Sequence, residues 1–199
     1  MKPPPRLALT FIFATVTLDA IGIGLIFPVM PQLIEDVTGG TLSQAALWGG
    51  LLATSFAVMQ FLFGPFLGAL SDRFGRRPVL LISLAVMAVD YIVLALAPTV
   101  VLLLAARIVA GIAAATHSTA AAFIADITPP EDRGRRFGLI GAGFGVGFVL
   151  GPVIGGLLAT IDIRAPFYAA AAMAVANLVL GALVLPETVT PENRRPVSL

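Results

Sequence analysis

Residues 68–78 read Gly68-Ala69-Leu70-Ser71-Asp72-Arg73-Phe74-Gly75-Arg76-Arg77-Pro78 and separate two long apolar runs. Four of these residues are ionisable, in a chain of which only 12% is charged. A tight, charged turn between two segments of hydrocarbon length belongs at a membrane surface. We call residues 68–78 the charged hinge, and the rest of the sequence is organised around it.

The composition agrees with a membrane protein. The 199-residue chain is 58% hydrophobic, whereas ordinary soluble domains are about 25% charged. Apolar stretches of about 20 residues, each long enough to cross about 30 Å of hydrocarbon, recur along it. Because only helices satisfy their backbone within one apolar segment, we expect an all-α integral membrane fold. Six spans are predicted at residues 7–30, 45–70, 78–97, 99–124, 136–160 and 165–186.

The basic residues indicate an orientation. If the N-terminus is cytoplasmic, ten of the twelve basic residues lie on the cytoplasmic side, as the positive-inside rule requires. They are Lys2, Arg6, Arg73, Arg76, Arg77, Arg133, Arg135, Arg136, Arg194 and Arg195. We therefore expect both termini to be cytoplasmic, with a bundle over residues 1–186 and the start of a cytoplasmic central linker at 187–199.

An internal repeat is visible. Gly64-Pro65-x-x-Gly68 recurs as Gly151-Pro152-x-x-Gly155 at an offset of 87 residues, and the same offset carries Asp90 onto Asn177. Spans 1–3 and 4–6 then have opposite membrane orientations. This pattern predicts an inverted three-plus-three repeat.

Three charged residues fall inside apolar spans: Asp19, Asp90 and Arg107. A charge near the bilayer centre costs at least about 2.5–3.5 kcal/mol, so it normally faces protein or a water-filled cavity. At about 1.5 Å per residue, Asp90 and Arg107 lie about 10–12 Å from the same membrane surface and can pair. Asp19 lies near the same plane. Two interpretations stay open, a structural ion pair and a polar site whose carboxylates exchange protons.

Three further polar residues lie in apolar segments. Gln60 and Asn177 fit a hydrogen bond between helices as well as a contact to substrate. His117, the only histidine, has a side chain that titrates near neutral pH. Because it has no evident partner in the sequence, we interpret it as structural.

The fifth span contains Gly143, Gly147, Gly151 and Gly155 at a spacing of four residues. Such a series forms a smooth ridge along one face of a helix. It predicts close approach of another helix.

These features resemble the major facilitator superfamily, in particular its drug/proton antiporters. The charged hinge matches that family's G-x-L-[AS]-D-R-x-G-R-[RK]-x-x-L signature at every fixed position, from Gly68 through Leu80. The fourth-span pattern R-x-x-x-G-x-x-x-A is met by Arg107, Gly111 and Ala115. The fifth-span antiporter pattern G-x-x-x-G-P-x-x-G-G is met by Gly147, Gly151, Pro152, Gly155 and Gly156.

Shorter stretches are similar to the bacterial tetracycline exporters, at residues 18–26, 90–91, 107–112 and 124–128. The segment Thr116-His117-Ser118-Thr119 departs from them, because they have smaller apolar residues and glycine there. The resemblance implies proton-coupled export of tetracycline or a similar amphipathic drug by alternating access, from a bacterial inner membrane. The drug would travel as such or as a chelate of a divalent metal, with the proton as coupling ion and without a cofactor or resident metal.

The resemblance also implies roles for residues. The expected substrate and proton site consists of Asp19, Gln60, Asp90, Arg107 and Asn177. The expected gate consists of Gly68, Asp72, Arg73, Gly75, Arg76, Arg77 and Asp126. The implied partners are the lipid bilayer, a small-molecule drug, and a C-terminal six-helix half or a second copy, with no nucleic acid.

The antiporters of this family have twelve spans, so six spans imply an N-terminal half. Two alternatives stay open: an exporter of another small solute, and a truncated membrane interaction protein that does not transport. An enzyme is not expected, because the sequence has no metal-ligand cluster, no Ser/His pair in one plane and no paired catalytic carboxylates.

Overall fold

The computed structural model describes residues 5–189, with side chains from residue 7, and within this range it contains only helices and connecting turns. Six helical segments are long and apolar enough to cross a membrane, which confirms the all-α, six-span prediction. Most of the predicted linker, from residue 190, lies outside the described residues. The helices are α1 Pro5–Ile26, α2 Met30–Thr38, α3 Leu42–Phe74, α4 Arg76–Leu96, α5 Val100–Ala113, α6 Thr116–Ile127, α7 Pro130–Ala159 and α8 Ala165–Val184.

The first span ends earlier than predicted. It stops at Ile26 rather than residue 30, and much of the segment between the first two predicted spans is the short helix α2. Pro31 lies in the first turn of α2, where the missing N–H of proline costs no helical hydrogen bond. Gly39, with a left-handed φ of 63°, ends this helix, as glycine commonly does.

The fourth span is broken into α5 and α6, which the sequence did not predict. The break leaves backbone groups at residues 113–115 that need partners. Ser83 of α4 supplies them: its hydroxyl donates to the Ala113 carbonyl at 2.7 Å and accepts from the Ala115 N–H at 3.3 Å. One serine on a neighbouring helix therefore supports the irregular backbone, in which the Ala115 N–H also donates to the Ala113 carbonyl at 2.8 Å.

Helix packing follows the predicted inverted repeat. The most extensive contacts join α1 to α7, α3 to α5 and α4 to α8. The repeat relates α1 to α5 and α6, α3 to α7, and α4 to α8. It therefore maps the α1–α7 contact onto the α3–α5 contact and the α4–α8 contact onto itself. The residues that the 87-residue offset relates behave alike: Asp90 binds Arg107 of the fourth span, and Asn177 accepts a hydrogen bond of 3.0 Å from Thr15 of the first span.

The bundle is unevenly covered. About half of the α1 and α4 spans is buried inside the bundle, whereas only 6% of the α3 span and 17% of the α7 span is buried. The exposed side chains of α3 and α7 include large apolar ones. Examples are Leu47, Leu51, Phe61, Val149, Val153 and Leu157.

The glycine ridge on α7 is confirmed, and its partner is α1. Gly143, Gly147, Gly151 and Gly155 are all buried. A Cβ on Gly151 would lie 2.5 Å from the Cα of Gly24, too close for any side chain. The ridge therefore holds α7 against α1 inside the bundle, while Gly156 points to open space.

We expect Gly151→Ala to lower the free energy of unfolding by about 1–3 kcal/mol, because the methyl group overpacks a backbone contact. Gly156→Ala is the matched control. It makes the same change on the same helix and should be neutral or stabilising by up to about 1 kcal/mol, since glycine weakens a helix interior. Thermal unfolding in detergent, followed by circular dichroism, measures both. Equal effects of the two variants would contradict the close packing of α7 on α1.

Candidate functional site

A cavity of about 490 Å³ lies between α1, α3, α4, α6 and α7. Its polar lining consists of Asp19, Gln60, Thr116, His117 and Ser118, and its apolar lining includes Ile23, Phe56, Met87 and Phe144. Asp19 places a charged group at transmembrane depth in this cavity. A mixed lining of this kind is typical of a site for a partly apolar small molecule.

Asp19 and His117 face each other in this cavity. The Asp19 Oδ2 lies 3.9 Å from the His117 Nδ1, and the two side chains are 11% and 41% exposed. The Phe144 ring contacts the imidazole edge-on, with 5.0 Å between the centroids. His117 therefore has a neighbouring carboxylate that the sequence did not indicate, and its interpretation as a structural residue stays a prediction.

The sequence contained a signal for this contact. Asp19 lies twelve residues from the start of the first apolar span at Leu7, and His117 lies ten residues before the end of α6 at Ile127. At about 1.5 Å per residue, both lie about 15–18 Å from the same end of the bundle. A comparison of the depths of the polar residues in spans 1 and 4 would therefore have predicted that Asp19 and His117 lie close together.

A second, much smaller cavity of about 10 Å³ lies behind Asp19, and Tyr91 and Asn177 also line it. The Tyr91 hydroxyl is buried there and has no hydrogen-bond partner among the described residues. Asn177 is buried and accepts from Thr15. The structure thus places Asn177 next to Asp19 but outside the lining of the large cavity.

Asp90 and Arg107 form a buried ion pair. Two guanidinium nitrogens of Arg107, Nη2 and Nε, contact the two carboxylate oxygens of Asp90, the Nε at 3.3 Å from Oδ1. The guanidinium also lies over the Phe56 ring, 5.3 Å from its centroid. Neither charged residue is among those that line the large cavity. Since removing one partner of a buried pair costs about 3–5 kcal/mol, this pair holds α4 and α5 together.

Within the charged hinge, the turn between α3 and α4 is confined to Gly75, because residues 68–74 and 76–78 are helical. Gly75 joins the two helices with a φ of 111°, a value that residues with a side chain rarely adopt. Arg76 contacts Asp72 of α3 and Asp126 of α6, with 3.1 Å between its Nε and Asp126 Oδ2. Its Nη1 also donates to Ser71 Oγ at 2.6 Å. The structure therefore brings Asp126 to the hinge and joins three helix ends through Arg76.

The remaining hinge residues have separate surroundings. The Arg77 Nη2 donates to the Ala182 carbonyl at 2.7 Å, near the end of α8. Arg73 is exposed beside Phe74. The Gly68 carbonyl accepts from Ser71 Oγ at 2.8 Å, within the last turns of α3.

Glu187, which we predicted only as part of the linker, contacts the charged hinge. Its carboxylate accepts from the backbone N–H of Arg76 at 2.9 Å and of Arg77 at 3.2 Å. These are free donors at the start of α4, where a negative charge is favourable. The neighbouring Thr188 donates to Asp126 Oδ2 at 3.1 Å. The segment after α8 is thus fastened to the hinge. The sequence offered one signal for this contact: Glu187 is an acidic residue directly after the last span, at the end of the bundle where the arginines lie.

Residues 12–197 match the sequence profile described as the Major Facilitator Superfamily. The chain is 55% identical to the class C tetracycline resistance protein of Escherichia coli, over 96% of this chain and 48% of that protein. It is 43% identical to the class H tetracycline resistance protein of Pasteurella multocida, over 95% and 48% of the two chains.

A crystal structure of the human organic anion transporter MFSD10 (TETRAN) has a similar fold, with a TM-score of 0.86 and 31% identity over 98% of this chain and 51% of that one. The chain spans about half the length of the curated relatives it matches. The resemblance noted in the sequence is thereby confirmed.

We expect Glu187→Gln to speed amide exchange in the hinge, because the neutral side chain loses its charge at the N-terminus of α4. The loss should be about 0.5–2 kcal/mol of local stability. Hydrogen–deuterium exchange with mass spectrometry on peptides covering residues 71–80 measures it. The control is Glu35→Gln, the same change on α2 at the other end of the bundle. Unchanged exchange in the Glu187 variant would contradict the capping role.

Proposed function

Because the chain belongs to the Major Facilitator Superfamily, we propose that it forms the N-terminal half of an exporter of tetracycline or a similar amphipathic drug. The observation that carries the proposal is the large cavity, which holds a carboxylate and an imidazole deep in a membrane-spanning bundle. The names of the most similar relatives support the choice of tetracycline as substrate.

The cavity suits such a molecule. Phe56, Met87 and Phe144 offer apolar surface to a fused ring system, and Gln60 offers an amide that both donates and accepts hydrogen bonds. Asp19 offers a negative charge to a cationic group or to a drug-bound divalent metal. An ionisable residue inside a membrane span is by default a candidate for substrate or proton binding. We assign proton coupling to Asp19, without any cofactor.

The cavity requires a second wall. In the proposed exporter, a C-terminal six-helix half or a second copy of this chain covers the exposed apolar faces of α3 and α7. Relative movement of the two bundles would then open the cavity alternately to the two sides of the membrane.

The charged hinge is the proposed gate. Arg76 joins the ends of α3, α4 and α6 through Asp72 and Asp126, so these ends move as one unit. Asp72 remains partly exposed and can accept a helix terminus of the other half. The arginines of the hinge support a position of this end of the bundle at the cytoplasmic side of a bacterial inner membrane, and we propose on the same ground that both termini are cytoplasmic.

A second candidate function is export of another small solute. The polar residues Thr116, His117 and Ser118 make one wall of the cavity more polar than the rest. A smaller, more hydrophilic substrate would use that wall.

The test is efflux from cells that express this chain together with the remaining half of the class C relative. We expect these cells to lose tetracycline faster than cells without the pair. The difference should disappear when an ionophore collapses the proton gradient. Asp19→Asn should abolish this efflux, because the amide cannot exchange a proton. Asp36→Asn, an exposed aspartate at the other end of the bundle, should leave it unchanged.

Membrane insertion of each variant is verified by immunoblotting of the membrane fraction. Absence of gradient-dependent efflux from the inserted pair would overturn the drug-export proposal. Unchanged efflux in Asp19→Asn would overturn the assignment of proton coupling to this residue.

A further inference from the structure

We propose that Asp19 and His117 form one proton-binding pair, in which His117 is a functional residue of the cavity. The pairing stands on geometry alone, whereas its use in transport rests on the proposed function. Within the pair, a proton can lie on the carboxylate or on the imidazole. The two groups then titrate together rather than independently.

The contact joins two helices that are distant in sequence. Asp19 lies on α1 and His117 one residue inside the start of α6, immediately after the break in the fourth span. Their facing atoms, Oδ2 and Nδ1, are 3.9 Å apart. This is longer than a hydrogen bond, and a shift of about 1 Å would bring them into hydrogen-bonding range. Movement of α6 relative to α1 therefore changes how strongly the two groups share a proton.

The surroundings of the imidazole leave Asp19 as its charged partner. The Phe144 ring covers one edge, and the Nε2 atom is buried without a hydrogen-bond partner among the described residues. The ring is thus positioned by an apolar contact on one side and by a carboxylate on the other. A carboxylate at this distance favours the protonated imidazole.

Other charged or titratable groups near the pair contribute little. On α3 the facing polar residue is Gln60, which is neutral. On α4 the Tyr91 phenol lies behind Asp19, and Asp90 is neutralised by Arg107 of α5. On α8 the nearby Asn177 is also uncharged. Among the described residues around the cavity, Asp19 and His117 are the two whose charges are not already compensated elsewhere.

The pair has three protonation states. Without a proton it carries one negative charge, with one proton it is neutral, and with two it carries one positive charge. A cationic drug group or a drug-bound metal is attracted to the first state and repelled by the third. Substrate and proton therefore compete for the same two side chains, which is the property that an antiporter site requires.

Because His117 is the only histidine, it can be observed directly. The full chain, purified with a tag free of histidine and labelled with ¹³C at histidine Cε1, gives one imidazole signal in lipid nanodiscs. In Asp19→Asn, the midpoint of its titration should move to lower pH by about 1 unit or more, as expected for loss of an opposite charge within about 4–6 Å. Asp36→Asn should leave the midpoint unchanged. An unchanged midpoint in Asp19→Asn would overturn the pair.

A second measurement does not require the Asp19 variant to fold. A hydrophobic carbodiimide reacts with protonated carboxyl groups, and peptide mass spectrometry locates its adduct on Asp19. In His117→Gln the carboxylate lacks the imidazolium, so labelling of Asp19 should persist to higher pH than in the unaltered chain. The same pH profile in both proteins would overturn the pair.

The two proposals fail separately. Coupled titration without gradient-dependent efflux in the reassembled exporter would support the pair and overturn the drug-export proposal. Efflux with uncoupled titration would support export and overturn the pair.

Discussion

Hydrocarbon offers no water to polar groups, so each polar group inside a span needs a partner within the protein. Because of this constraint, polar contacts join particular helices in pairs. The Asp90–Arg107 ion pair joins α4 to α5, and the Thr15–Asn177 hydrogen bond joins α1 to α8. Ser83 supports a break in the fourth span by hydrogen bonding to backbone groups on both sides of it. The polar side chains in the spans thus determine much of the packing.

The same constraint separates structural charges from candidate functional ones. Asp90 is satisfied by a neighbouring helix and is only 2% exposed. Asp19 instead faces His117 across a cavity, at a distance longer than a hydrogen bond. A charge that costs energy to place, and that is not fully satisfied by its own bundle, is available to bind a proton or a substrate. This contrast favours Asp19 and His117, rather than Asp90 and Arg107, as the centre of the proposed site.

Much of the architecture was predictable because strong local patterns encode it. Apolar length gave the six spans, the four-residue glycine spacing gave the ridge, and equal depth gave the pairing of Asp90 with Arg107. The break in the fourth span was not predictable from its own alanine-rich sequence, since it depends on Ser83 of another helix. The contacts of His117 and Glu187 were not predicted for a related reason: each lies against residues far away in sequence. The roles of the site and gate residues in transport stay predictions.

Substrate protection of a single cysteine tests the central claim, that the cavity is the drug site. The chain has no cysteine, so Gln60→Cys in the reassembled exporter reports on the cavity alone once the added half is also made free of cysteine. Ser43→Cys, exposed on the same helix, is the control. We predict that tetracycline slows labelling of Gln60→Cys by a small charged thiol reagent several-fold and leaves Ser43→Cys unaffected. Equal labelling of Gln60→Cys with and without tetracycline would contradict the account.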